Sequence, residues 1–221
     1  MNYNEKSYAL GSKRSIIREI FEYSNNRAKE IGADKVFDFS LGNPSVEPPA
    51  KITKTLIELL KDENPTKLHG YTSAQGDLSV RTVICNKINK DYNLNLTPNS
   101  IYMTCGAAAS LSICLKAVIN NSDECIVFAP FFTEYRVFVE NAGGKLIVSK
   151  PVDKTFQIDI KDLEDKITEK TKAIIINSPN NPSGVVYSKE TIKSVCSVLE
   201  RKQKEFKKPI YLIFLYVHYI I

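Results

Sequence analysis

Ala173-Ile174-Ile175-Ile176-Asn177-Ser178-Pro179-Asn180-Asn181-Pro182-Ser183-Gly184 is a run of aliphatic residues that turns abruptly into a stiff polar loop. The apolar half, Ala173–Ile176, has the β-branched bias of a strand covered on both faces. The second half cannot continue it. Pro179 and Pro182 each remove a backbone donor and fix φ, and Gly184 opens backbone angles closed to other residues. In open α/β sheets the crevice beyond the carboxyl ends of the strands is where ligands bind, so this loop carries Asn180 and Asn181 to a ligand-binding position.

Outward from that strand the pattern repeats. Downstream, Ser188–Phe206 reads as a capped helix with Ile192, Val195, Cys196 and Leu199 inward, and Ile210–Ile213 as one more central strand. Upstream, Ile101–Thr104 reads as a short strand, Ala107–Ile119 as a helix, Glu124–Ala129 as a strand, Thr133–Ala142 as a helix and Lys145–Lys150 as a strand. Asp159–Ile167 reads as a short acidic helix before Lys172–Asn177. Alternation of this kind implies a three-layer α/β/α architecture around a largely parallel, mixed sheet. Nearer the start, Arg14–Ile31 and Lys51–Lys61 have helical spacing, and a helix after Gly76 places Val80, Val83, Ile84 and Ile88 on one face. The expected division is an N-terminal helical segment over 1–50, a partial large domain over 51–213 and an apolar tail over 214–221.

Composition narrows the function. At 43% hydrophobic and 25% charged residues, the chain of 221 residues has the makeup of a folded globular protein with room for one substantial core. The net charge of +5 is dispersed, and the one Lys cluster, Lys202, Lys204, Lys207 and Lys208, suits a solvated helix end better than a nucleic-acid surface. Five cysteines without paired spacing read as reduced thiols of a cytoplasmic protein, and two histidines without neighbouring ligands give no metal site. Met1–Lys13 lacks the apolar core of a signal peptide, and Pro209–Ile221 is too short to span a bilayer. No membrane or nucleic-acid partner is expected.

Several segments could carry chemistry. Thr104-Cys105-Gly106-Ala107-Ala108-Ala109 opens a helix with small residues, and the free amides and dipole at a helix start receive phosphate. Close packing of helix on sheet calls for the same small residues. Pro130-Phe131-Phe132 follows a strand, so Phe132 either stacks on a planar ligand or belongs to the core. Tyr71, within Leu68-His69-Gly70-Tyr71-Thr72-Ser73-Ala74-Gln75-Gly76, offers a hydroxyl or is a turn tyrosine. Asn181 faces a ligand or holds its own loop as an Asx turn, and Leu41-Gly42-Asn43-Pro44 is a turn that also suits a ligand rim.

Taken in order, these five elements resemble the fold-type I, pyridoxal-phosphate-dependent aminotransferases of class I/II, from about Ser12 to about Ile213, with Asn180-Asn181-Pro182-Ser183-Gly184 the most specific part. The resemblance implies transfer of an amino group between an amino acid and a 2-oxo acid, with pyridoxal 5'-phosphate as cofactor and a homodimer whose subunits share the active site. It implies that Ala107 and Ala108 bind the phosphate through backbone N–H groups, that Phe132 stacks on the pyridine ring and that Asn181 donates to its phenolic oxygen. Tyr71 would reach the phosphate in the neighbouring subunit, and Gly42, with Asn181, would lie beside the substrate.

The family's catalytic groups are a lysine that forms a Schiff base with the cofactor and an aspartate that pairs with the pyridine nitrogen. The family places the aspartate in an Asp-Glu-Pro-Tyr-like turn where this chain has Phe214-Leu215-Tyr216-Val217, and the lysine belongs to a C-terminal half. The sequence-based expectation is therefore a truncated or frame-shifted chain without catalytic residues of its own and inactive alone. Another fold-type I enzyme such as a carbon–sulfur lyase, and a non-catalytic dimerising fragment, fit the same residues. A doubly wound nucleotide-binding module fits less well, because neither a Gly-x-Gly-x-x-Gly nor a Walker motif is present.

Overall fold

The computed structural model describes residues 3–12, 16–40, 42 and 46–216. The chain divides into two units, Met1–Thr72 and Ser73–Ile221. The first holds helices α1 (Glu5–Ser12), α2 (Ile16–Ile31), α3 (Ala50–Asp62) and the single turn α4 (Pro65–Leu68). Of these, α2 and α3 are amphipathic by sequence, yet no residue of either is buried.

The second unit runs α5 (Leu78–Tyr92), α6 (Ala107–Val118), β1 (Glu124–Phe128), α7 (Glu134–Asn141), β2 (Lys145–Ser149), α8 (Ile160–Lys166), β3 (Thr171–Ser178), α9 (Lys189–Phe206) and β4 (Tyr211–Tyr216). The four strands form a sheet in the order β2-β1-β3-β4, with every pairing parallel. Successive side chains of a strand point to opposite faces, and two cores follow from that alternation. Ile126, Phe128, Ile174 and Ile176 pack with Leu163 of α8 and Val195, Val198 and Leu199 of α9. Cys125, Val127, Ala173 and Ile175 pack on the other face with Leu111 and Leu115 of α6 and Tyr135 and Val139 of α7. Residues of both sets on β1 and β3 are almost wholly buried, which is why these strands read as unbroken apolar runs. The α/β/α layering expected from the sequence is what folds.

Helix starts are set by side chains that accept the first free amides. Asp77 receives Ser79 and Val80 N–H, Asp159 receives Lys161 and Asp162 N–H, and Ser188 receives Thr191 N–H.

Three expectations are corrected. Residues 101–104 form no strand; Met103 N–H donates to the Gln75 carbonyl at 2.9 Å, so the segment pairs with a loop and not with the sheet. On α5 the buried positions are Arg81 and Cys85, whereas Val80 and Val83 are exposed. The reason is polar: Arg81 Nε donates to the Gly76 carbonyl at 3.0 Å and Nη1 to the Pro98 carbonyl at 2.7 Å, while Asn89 exchanges hydrogen bonds with Leu96. The stripe Arg81–Cys85–Asn89, at spacing i, i+4, i+8, thus holds the loop that leads to α6. Finally, β4 does not end at Ile213: Phe214, Leu215 and Tyr216 pair in register with Ile176, Asn177 and Ser178. Residues 217–221 lie outside the described residues.

Candidate functional site

Strand order reverses between β1 and β3: the chain leaves β1 toward β2 and returns on the other side toward β4. A crevice opens at such a reversal, at the carboxyl ends of the strands. Here it is a cavity of ≈ 730 Å³, lined by the start of α6, by Phe132 from the loop after β1, by Asn180 and Asn181 from the loop after β3, and by the end of β4. Four of the sequence-derived positions, Ala107, Ala108, Phe132 and Asn181, therefore meet in one place. Gly42 and Tyr71 are not among its lining residues. Both belong to the first unit and are exposed, Tyr71 completely. Leu41, Asn43 and Pro44, which flank Gly42, lie outside the described residues.

The start of α6 has an unusual cap. Gly106 occupies the N-cap at φ 87°, ψ 175°, and no side chain accepts from the helix amides. The nearby hydroxyls are directed elsewhere: Thr104 Oγ1 donates to the Gly106 carbonyl at 3.2 Å and shares a 2.6 Å hydrogen bond with Ser110 Oγ. The first-turn amides are left without a side-chain acceptor, and alanine side chains leave room beside them. Among the described lining residues there is no Asp, Glu, Lys, Arg or His, so the helix terminus supplies the site's positive potential.

The loop after β3 is built from the inside. Asn180 N–H donates to the Val185 carbonyl at 2.8 Å and Gly184 N–H to the Asn180 carbonyl at 2.7 Å, with Gly184 at φ +70°. Asn180 Nδ2 donates to Ser183 Oγ at 2.8 Å and to the Pro130 carbonyl at 2.9 Å. Asn181 N–H donates to Asn177 Oδ1 at 2.9 Å. Asn180 is buried and does the holding, while Asn181 is exposed and is left to present its amide. On the opposite wall Phe132 lies edge-on to Tyr135, with centroids 5.6 Å apart and planes at 81°. This packing braces one edge of the ring while about a third of the residue stays exposed. Burial pushes the Tyr135 phenol up to about 12, so it remains neutral behind that ring.

Sequence reading missed Asn177, Asn180 as a structural bridge, and Leu215. Asn177 stood in plain view as the polar residue that ends the apolar run Ala173–Ile176. The other two roles come from tertiary pairing and have no local signal.

Among the described residues no group of three or more His, Cys, Asp or Glu is placed to hold a metal ion, and no helix is long and apolar enough to cross a membrane.

Residues 34–204 match the family model for "Aminotransferase class I and II". The chain is 36% identical over 188 residues to a "Probable aspartate aminotransferase" of Methanocaldococcus jannaschii, covering 85% of this chain and 47% of that one. It is 32% identical over 175 residues to an "Aspartate aminotransferase" of Bacillus subtilis, covering 78% and 44%. An amino transferase of Eubacterium rectale, solved as a crystal structure, superposes with a TM-score of 0.93 at 49% identity, over 97% of this chain and 54% of that one. The chain thus spans about half the length of the curated relatives it matches. Matching sequence through the loops that build the cavity, and a matching fold around it, have one consequence: the chain belongs to the class I and II aminotransferases.

Proposed function

We propose that the cavity is the cofactor-holding part of an aminotransferase active site, and that the reaction it serves moves an amino group between an amino acid and a 2-oxo acid. One observation carries the reading. An uncapped helix start, an aromatic ring and a side-chain amide, drawn from three separate loops, converge on a single cavity at the strand-order reversal. That set matches pyridoxal 5'-phosphate group by group: amides for a phosphate dianion, a ring face for a ring, an amide for a phenolic oxygen. When bound, the cofactor supplies a carbonyl for the substrate amine and a ring that draws off electron density.

The residues of this chain bind and orient. Ala107 and Ala108 would hold the phosphate through backbone N–H groups, Phe132 would cover the ring and the Asn181 amide would donate to its phenolic oxygen. Asn181 also lies on the substrate's side. The described lining offers no lysine and no carboxylate, so these residues seat the cofactor and do not themselves exchange protons with it. The full exposure of Tyr71 supports a homodimer in which this tyrosine completes the neighbouring subunit's phosphate site. The relatives' names favour a dicarboxylic amino acid as one substrate. Five free thiols support a reducing, cytoplasmic setting.

Equilibrium dialysis of the purified chain tests the reading. Saturable binding of pyridoxal phosphate, competed by inorganic phosphate at higher concentration, is expected; uptake that does not saturate would refute it.

A further inference from the structure

Alternation along β3 puts Ala173, Ile175 and Asn177 on the face toward α6 and α7. The first two disappear into the core, and the third, only 8% exposed, reaches the cavity wall. A side-chain amide is tolerated at such a depth when its hydrogen bonds are made. Here both ends are used. Oδ1 accepts the Asn181 N–H at 2.9 Å, and Nδ2 donates to the Leu215 carbonyl at 3.3 Å. Leu215 is the residue paired with Asn177 across the sheet, and it too lines the cavity. One side chain therefore ties the Asn181 loop to the end of β4. A valine or isoleucine would extend the apolar row equally well and make neither bond.

We propose that Asn177 is a positioning residue for cofactor binding: it fixes the backbone of Asn181, and so the reach of the Asn181 amide, against the end of β4. This inference rests on the cofactor reading given above. It also makes β4 part of the ring-binding apparatus, since displacement of Leu215 is transmitted to Asn181 through one amide.

The test uses the full chain, with amide hydrogen exchange as one readout and affinities for pyridoxamine phosphate and inorganic phosphate as the other. In Asn177→Ala, Asn181 N–H exchange is expected to speed up at least about tenfold, the scale of one lost hydrogen bond. The amides of Asn180 and Gly184, whose acceptors are untouched, keep their protection. Pyridoxamine phosphate binding weakens about tenfold while phosphate binding is unchanged. In an Asn181→Ala background the same substitution costs less than about twofold, because it acts through the residue already removed. Asn177→Asp, which retains the acceptor, keeps the Asn181 amide protected.

Unchanged Asn181 exchange in Asn177→Ala, equal loss of protection at all three amides, or full additivity with Asn181→Ala would each overturn the proposal. If the unaltered chain does not prefer pyridoxamine phosphate to phosphate, the cofactor reading fails, and the exchange data alone then decide whether Asn177 positions Asn181.

Discussion

Asn180 Nδ2 donates to the Pro130 carbonyl at 2.9 Å, and through this bond the loop after β3 is fastened to the loop after β1. The two loops carry Asn181 and Phe132, so a buried residue whose amide nitrogen is spent on the protein sets the spacing between them. Replacing Asn180 by Ala leaves the Pro130 carbonyl and Ser183 Oγ without this donor. A loss of about 1–3 kcal/mol in unfolding free energy is expected, the cost of leaving partly buried polar groups without a partner. A urea titration measures it; a change within error would show that the loops are held apart by other means.

Gly106 makes a second, sharper prediction. A Cβ built at this position meets nothing within 4 Å, so space does not exclude a side chain. The backbone does: φ 87° with ψ 175° is a region that is essentially glycine-only. Gly106→Ala is expected to destabilise by about 1–3 kcal/mol and to weaken phosphate binding, because relief of the strain turns the first amides of α6 away. Calorimetry on the variant with and without phosphate separates the two effects.

Phe132 is placed to act on the ligand and not on the fold. It is partly exposed and braced by Tyr135 at its edge. Phe132→Ala should weaken pyridoxamine phosphate by about tenfold, the scale of one aromatic contact, leave inorganic phosphate affinity unchanged, and shift thermal stability little. A parallel loss of both ligands would place the ring in the phosphate seat or the core.

Much of this was readable from residues alone. The strand Ala173–Ile176, the rigid loop after it and the small-residue start of α6 announce themselves, because burial on both faces, ring constraint and absence of side chains are local properties. The face of α5 was not readable. Its inward stripe is the buried pair Arg81 and Cys85 with the half-buried Asn89, and hydrogen bonds to Gly76, Pro98 and Leu96 outweigh the apolar row that hydrophobic periodicity picks out. Residues 101–104 failed for the same reason: a β-like composition says nothing about which backbone will pair with it. Asn177 was visible but silent, since its role depends on Leu215, 38 residues away.

Stability should fall at alkaline pH. Burial holds the Cys125 thiol and the Tyr135 and Tyr187 phenols up to about 12, above their ordinary values of 9.0 and 10.0. In the folded state these groups keep protons that the unfolded chain releases, so the stability they contribute is complete below about pH 9 and drains away as pH rises toward 12. Denaturation midpoints measured from pH 7 upward should decline from about pH 9, and Cys125→Ala should remove the earliest part of the decline. A midpoint that stays flat to pH 11 would contradict the burial of these side chains.

The most direct test of the central claim is a titration of the isotopically labelled chain with pyridoxamine phosphate, followed by backbone amide chemical shifts. The account predicts saturating shifts at Ala107 and Ala108 and at Asn181, with inorganic phosphate reproducing only the first pair. Shifts confined to residues outside the cavity, or phosphate reproducing the whole set, would contradict it.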